Sequence, residues 1–342
     1  MQTLRNAAVV VTGASSGIGR ATALEFARRG ARVALAARRS EPLEAAAAEC
    51  RAAGAQAVAV TTDVTKEDEV EALARAALAA FGRIDVWVNN VGTGVFGAFA
   101  DAPVSLHRKV VEINLIGTMH GCAAALPVFR RQGSGRLINM VSMGGWSPTP
   151  YAAAYAASKF GLRGFTASLR EELRDQPGIR VSAVFPALVD TPGFQHGANV
   201  SGRALQPAGS FIPPEEVARV MVRLALEPRD EVAVGWPAVA AKVAYALAPG
   251  ATSRATGAAM RRFLRNSPPA PRTEGALMAP VPEGTTASGG FRERQARGRR
   301  GGSAIVEAFT PRGPAGLALA GLAMVVGAEA LVGLRRWVST RV

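Results

Sequence analysis

Cysteine, histidine and aromatic residues are all scarce in this chain. Its 342 residues hold two cysteines, Cys50 and Cys122, and three histidines, His107, His120 and His196. Two widely separated thiols make neither a disulfide framework nor a metal cluster, and three scattered histidines are too few for a protein-built zinc site. No metal is expected, and a reducing compartment fits. Aromatic residues are only 6% while hydrophobic residues reach 49%, so Ala, Val and Leu must fill the core. Acidic residues are the minority too, 26 against 40 basic, for a formal net charge of +14. The excess is uneven: residues 1–253 carry a net +5 and residues 254–342 a net +9. A basic tail of this kind can meet anionic lipid or nucleic acid. The arginines between Arg292 and Arg300 have Phe291 beside them but no regular aromatic interleaving, so nucleic acid is not the expected partner. The first apolar run, Ala7–Val11, enters a glycine-rich turn directly and reads as a strand rather than a leader. A cytoplasmic catalytic region is the expectation.

What is present is a regular alternation. Ala7–Thr12, Arg32–Ala36, Ala57–Thr61, Ile84–Asn89, Arg136–Val141, Arg180–Phe185 and Glu231–Gly235 read as strands. Gly17–Arg29, Glu41–Ala53, Glu67–Phe81, Tyr155–Asp175 and Pro214–Leu226 read as helices. Strands alternating with helices of this length predict an α/β protein with a parallel sheet covered on both faces. Ligands then belong at the carboxyl ends of the strands.

The segment TGASSGIG, Thr12–Gly19, joins the first strand to the first helix. Gly13, Gly17 and Gly19 let the backbone turn tightly and approach a pyrophosphate, and Ser15, Ser16 and Ile18 open the helix whose free N–H groups favour an anion. The second strand ends at Arg38 and Arg39 rather than at a carboxylate. Guanidinium groups pair with a 2′-phosphate where an acid would repel it, so NADP(H) is expected over NAD(H). Asp63 and Val64 follow the third strand, where a carboxylate can accept from an adenine amino group; a plain helix cap is the alternative. Asn89–Gly92 follows the fourth strand, with Asn90 and Gly92 bracing the cleft; an ordinary Asn-Gly-type turn is the alternative there.

Tyr155 and Lys159 stand four residues apart, one helical turn, on one face. Ser142 closes the strand before them. A phenol whose pKa is lowered from about 10 by a nearby ammonium can exchange a proton with an oxygen on carbon. Ser142 can hold that oxygen. Asn114, in VEINLIGTM, can interrupt its helix locally and organise water near Lys159. Tyr151 has the wrong spacing from Lys159 to share that face.

In TGASSGIG, Asp63-Val64, Asn89–Gly92, Asn114, Ser142 and Tyr155-x-x-x-Lys159, in this order across roughly residues 5–235, the chain resembles the short-chain dehydrogenase/reductase family. The resemblance implies a Rossmann-like three-layer sandwich around a mostly seven-stranded parallel sheet, a homodimer or homotetramer, and hydride transfer at nicotinamide C4 to or from an alcohol or ketone. It implies the catalytic set Asn114, Ser142, Tyr155 and Lys159, with Tyr155 as general acid or base, Lys159 also bonding the nicotinamide ribose, and Asn114 holding a water. It implies contacts to the nicotinamide from Pro186, Leu188 and Thr191, although Ala187 stands where that family usually has glycine. Epimerisation or dehydration on the same scaffold, or nucleotide binding without catalysis, are the alternatives.

Residues 1–250 are expected to form the catalytic domain. The segment 193–213, with Phe194, His196, Leu205 and Phe211, is expected to cover an apolar substrate, with Trp146 and Phe96 adding walls. Arg203 is its one strong positive group. Residues 251–312 read as a helical extension followed by a disordered linker rich in Pro, Gly and Arg. Residues 313–342 hold the apolar run Leu317–Leu334, broken by Glu329 and followed by Arg335, Arg336 and Trp337. At roughly the lower limit of a bilayer span, this run reads either as a membrane-seated helix or as a helix buried against another chain. Contact with a lipid bilayer is the expectation drawn from it.

Overall fold

In β1 (Ala8–Thr12) successive side chains point to opposite faces, and both faces are apolar. Val9 and Val11 enter one buried cluster and Val10 the other, as the two-residue period of a strand requires. The next strands repeat the arrangement, so the sheet must be covered on both sides. The computed structural model describes residues 3–205 and 210–300.

The order along the chain is β1, α1 (Gly17–Arg28), β2 (Arg32–Ala37), α2 (Ser40–Ala52), β3 (Ala57–Thr61), α3 (Glu67–Phe81) and β4 (Val86–Asn89). Then follow β5 (Val95–Phe96), α4 (Val104–Val111), α5 (Gly117–Gln132), β6 (Gly135–Met140), α6 (Ala153–Glu172) and β7 (Ile179–Pro186). The last part holds α7 (Gly193–His196), β8 (Ala198–Asn199), α8 (Pro214–Leu226), β9 (Glu231–Val234), α9 (Trp236–Leu247), α10 (Pro249–Asn266) and α11 (Phe291–Arg300).

Seven strands form one sheet in the order β3-β2-β1-β4-β6-β7-β9, and every pair is parallel. This is the expected Rossmann-like three-layer sandwich. One core packs Val9, Val33, Leu35 and Val88 against Phe26 of α1 and Met221 of α8. The other packs Val10, Trp87 and Leu137 against Leu73 of α3, Phe129 of α5 and Leu169 of α6. The chain reverses direction across the sheet between β1 and β4, which opens a crevice at their carboxyl ends. A second, two-stranded sheet pairs β5 with β8, Val95 opposite Ala198, and brings residues 193–199 over that crevice.

One element follows the sequence reading and one departs from it. The helix carrying Asn114 widens to a π-helix over Glu112–Ile116 between α4 and α5, a local bulge of the kind found where a side chain is re-aimed. Residues 267–290, expected to be disordered, run as an extended strap from α10 to α11 and are fastened across the crevice by hydrogen bonds. Composition misleads here because the strap's own periodicity does not stabilise it; the body supplies the partners its backbone needs. The expected apolar helix of residues 313–342 lies outside the described residues. Among those described, no helix is long and apolar enough to cross a membrane.

Candidate active site

The turn after β1 is built by what glycine omits. Gly13 and Gly17 hold φ of +67° and +56°, a conformation that costs little only without a Cβ. A Cβ on Gly19 would collide with the Gly13 carbonyl oxygen, so α1 could not sit against its own turn. Asn90 braces the same turn, donating from Nδ2 to the Thr12 carbonyl at 3.1 Å and from its backbone N–H to Thr12 Oγ1 at 3.1 Å.

A cleft opens beside this turn. Gly13, Ser15, Ser16, Gly17, Ile18, Arg38, Arg39, Asp63, Val64, Asn90, Gly92 and Thr191 line it. The sequence reading named all of them. Gly19, Tyr155, Lys159, Pro186 and Leu188, also assigned to the coenzyme, are absent from the lining. Pro186 ends β7 in register with β9, and the Leu188 carbonyl accepts from the Ile212 N–H at 2.9 Å. Ala187 needs no glycine, since its φ is not positive.

Asp63 plays the cap-like part as well as lining the cleft. Its Oδ1 accepts from the Thr65 N–H and hydroxyl at 2.9 and 2.8 Å, and Glu69 reaches back to its N–H at 2.7 Å. Burial raises its pKa, but the Thr65 hydrogen bonds with Arg38 and Lys109 nearby outweigh that and hold it below the usual carboxylate range.

Deeper in, Asn114 is fully used. Its Oδ1 accepts from the Thr93 N–H at 2.8 Å; its Nδ2 donates to the Thr93 carbonyl at 2.8 Å and to Ser158 Oγ at 2.9 Å. Lys159 is 2% exposed and donates to the Met140 carbonyl at 3.0 Å. Gly92 packs between the Lys159 ammonium and Asn114 Oδ1. Tyr155 lies between Gly94 and Gly144, and a Cβ on Gly144 would stand 3.1 Å from its ring. The Lys159 Nζ is 5.8 Å from the centre of that ring. Ser142, at φ +155°, reaches back to accept from the Gly144 N–H at 3.1 Å. The four residues singled out from the sequence thus converge beside the cleft. Burial shifts two of them against charge. It pushes the Lys159 ammonium down to about 7 and the Tyr155 phenol up, with the Ser142 hydroxyl acting in the opposite sense on the phenol. The lowered Tyr155 expected from its neighbour is therefore not what the protein alone produces, because removal from water dominates.

Three expectations about the substrate side change. Trp146 is buried and stacks on Phe185 at 3.9 Å, with Lys242 over its other side, so it belongs to the core. Phe194 and Phe211 pack on Phe291 of α11, at 5.5 and 5.1 Å between ring centres. Arg203 donates to the Ser267 carbonyl at 3.2 Å rather than facing a ligand. The apolar residues around Tyr155 are instead Val95, Leu106, Ala154, Val200 and Leu277.

Sequence reasoning missed three features. Ala276, Pro280 and Val281 of the strap close one side of the cleft, and no spacing announced them. His196, named in the covering segment, joins them in the lining, with its pKa lowered by burial. Thr93 lines it too, with a buried hydroxyl that has no partner. Below the site, Trp87, Asn89, Cys122, Asn139 and Thr166 form a buried hydrogen-bonded chain. Polar residues scattered over two strands and two helices carry no pattern; only their meeting in space identifies them.

Fold and cleft together define a dinucleotide-dependent α/β oxidoreductase. Comparison with known proteins narrows the class. The short chain dehydrogenase family pattern matches residues 7–199, and the chain belongs to that family. It is 35% identical over 287 residues to the uncharacterized oxidoreductase YxnA of Bacillus subtilis, covering 81% of this chain and 79% of that one. It is similar to a metagenomic short-chain oxidoreductase solved in complex with NADP, with TM-score 0.58 and 36% identity, covering 68% of this chain and 97% of that one. It is also similar to a singly substituted actinorhodin polyketide ketoreductase solved with NADPH, with TM-score 0.60 and 33% identity, covering 68% and 97%.

Proposed function

We propose that this protein is an NADP(H)-dependent oxidoreductase that interconverts an apolar ketone and the corresponding secondary alcohol. The observation that carries the proposal is the pair Arg38 and Arg39 in the lining of a glycine-rich cleft, with Lys159 and Asn114 directly behind Gly92 of the same lining. The cleft fits the coenzyme on its own terms. Gly13 and Gly17 line it at positive φ, Thr93 offers an unpartnered buried hydroxyl, and two adjacent guanidiniums suit a 2′-phosphate. Solved relatives that hold NADP or NADPH support the same choice.

The nicotinamide supplies or accepts the hydride. The protein's residues do the rest. Tyr155, with its phenol raised by burial, stands protonated at neutral pH and passes its proton to the developing alkoxide. Ser142 donates to that oxygen and fixes its place. Lys159, near neutrality at about 7, restores the proton to Tyr155 and bonds the nicotinamide ribose. Asn114 shapes the π-turn and links Thr93 to Ser158 on the helix of Tyr155, and it completes the relay through a water. Gly13, Ser15, Ser16, Gly17 and Ile18 hold the pyrophosphate; Asp63 and Val64 hold the adenine; Asn90, Gly92 and Thr191 brace the nicotinamide half. Val95, Leu106, Val200 and Leu277 favour an apolar substrate body, and the ketoreductase relative supports reduction as the working direction.

The protein acts as a homodimer or homotetramer, a reading supported by the exposed Trp236, Val239, Val243 and Leu247 along α9. Residues 313–342 hold it to a lipid bilayer, a reading supported by the apolar run and the arginines that follow it. The test of the activity is the loss of NADPH absorbance over a panel of ketones and aldehydes, repeated with NADH and with Tyr155→Phe. Turnover is expected with NADPH, weaker with NADH, and reduced by about 100-fold or more in Tyr155→Phe. Equal turnover by wild type and Tyr155→Phe overturns the assignment.

A further inference from the structure

The strap crosses the cleft by satisfying the donors that a phosphorylated dinucleotide needs. Arg38 donates to the carbonyls of Ala276 and Leu277. Arg39 donates to the carbonyls of Val281, Glu283 and Gly284 at 2.9, 2.7 and 3.0 Å. The Gly17 N–H, which belongs to the anion-binding turn, donates to the Thr286 carbonyl at 3.0 Å. Every one of these acceptors is a neutral carbonyl oxygen. Burial and the charge of Arg38 disfavour the Arg39 guanidinium, while the nearby Glu283 carboxylate favours it.

The two ends of the strap are held by other means. Thr273 exchanges backbone hydrogen bonds with Asn199 at 2.8 and 2.9 Å, and Leu277 is fully buried in the cluster that touches Tyr155. At the other end the buried Asp190 carboxylate accepts from the Phe291 N–H at 2.8 Å and the Ser288 hydroxyl at 3.0 Å, while Phe291 stacks on Phe211. Gly275 and Gly290, at φ +56° and +72°, flank the span at backbone angles that other residues resist. Between them Met278 is 56% exposed. The middle is thus fastened mainly through Arg39 and the Gly17 N–H, groups that the coenzyme would claim, with Arg20 also donating to the Thr285 carbonyl and His196 meeting the Glu283 carbonyl.

We infer that residues 278–287 are a coenzyme-operated gate, latched through Arg39 and the Gly17 N–H beside a hinge that Arg38 holds at Ala276 and Leu277, and released when a 2′-phosphorylated dinucleotide takes those donors. The inference rests on the NADP(H) reading above. Charge-assisted bonds from guanidinium to phosphate are roughly twice as strong as those to a neutral carbonyl, and the freed carbonyls turn to water. A dinucleotide without the 2′-phosphate offers Arg38 and Arg39 nothing better than the strap. Asp190 is then a positioning residue that keeps the far end tethered while the middle moves. Because Leu277 borders both the latch and the Tyr155 cluster, release also widens the approach to the substrate side.

The test uses the full chain with Met278→Cys carrying an environment-sensitive fluorophore. Cys50 and Cys122, the only native cysteines, are buried, so the label is confined to the strap. Fluorescence is followed while 2′-phospho-ADP-ribose or ADP-ribose is added, with calorimetry recording binding in parallel. The expected result is a saturable change with 2′-phospho-ADP-ribose and none with ADP-ribose at equal occupancy. Adding Arg39→Ala should shift the fluorescence before any ligand is present and weaken 2′-phospho-ADP-ribose by about tenfold. Equal fluorescence changes with both ligands, or none with bound 2′-phospho-ADP-ribose, overturn the gate while leaving the coenzyme assignment standing. Absence of binding by both ligands overturns the coenzyme assignment and the gate with it.

Discussion

Lys159 is placed where an ammonium is poorly solvated, and its stability effect has a definite sign. Its pKa falls from 10.5 to about 7 on folding. Between those values the unfolded chain holds a proton that the folded chain does not, so stability rises with pH across that window. Below pH of about 7 both forms are protonated and the cost of the buried charge is fully present. Lys159→Met removes the cost. The variant without added nucleotide should unfold at a higher temperature than wild type, with a gain on the order of a few kcal/mol at pH near 6. The gain should shrink by pH near 9 and the variant should be catalytically dead. Thermal unfolding at both pH values checks this; a lower melting temperature at both would show that the Met140 hydrogen bond outweighs desolvation. A charged group retained at such a cost has a use beyond stability, which is the strongest residue-level argument for its part in the proton relay.

At the scale of elements, the turn between β1 and α1 depends on contact and not merely on flexibility. Gly19 lies so close to the Gly13 carbonyl that a methyl group forces one of them to move. Gly164, within α6, meets nothing within 4 Å. Gly19→Ala should destabilise the protein by about 1–3 kcal/mol through overpacking and weaken 2′-phospho-ADP-ribose at least about tenfold. Gly164→Ala should be neutral or stabilising by about 0.4–1 kcal/mol through lost unfolded-state entropy. Thermal unfolding and calorimetry on the pair decide it, and similar losses in both would refute the contact argument. The π-turn at Glu112–Ile116 works by the same logic, since widening the helix lets Asn114 meet Thr93 and Ser158 at once.

For the whole molecule, charge and apolar surface gather toward the C-terminal side. Residues 254–342 carry a net +9, and the helix α10 between Pro249 and Asn266 holds arginines without an acidic residue. An apolar run followed by arginines anchors through burial of hydrocarbon, whereas basic residues alone bind through screened attraction. The full chain should therefore sediment with cell membranes, resist release by concentrated salt, and be released by detergent. Release by salt alone would identify a purely electrostatic attachment, and recovery in the soluble fraction would refute membrane contact.

Much of the molecule was legible because its signals are local. The alternation of apolar strands with helices announced the parallel sheet, since the faces of β1 are decided by a two-residue period. The glycines at 13, 17 and 19, the arginines at 38 and 39, and the Tyr155–Lys159 spacing each lie within one turn or one helical step, so short-range geometry places them. Other features depend on distant partners. Trp146 left the expected pocket wall for the core because Phe185, on another strand, offers a stacking face. Tyr155 was raised rather than lowered because burial is set by everything packed around it. The strap over the cleft was invisible for the same reason: its backbone order comes from Arg38, Arg39, Gly17 and Asp190, each more than about 90 residues away along the chain. Composition and spacing therefore determined the architecture and the groups proposed to react, while only tertiary packing decided their desolvation and what closes over them.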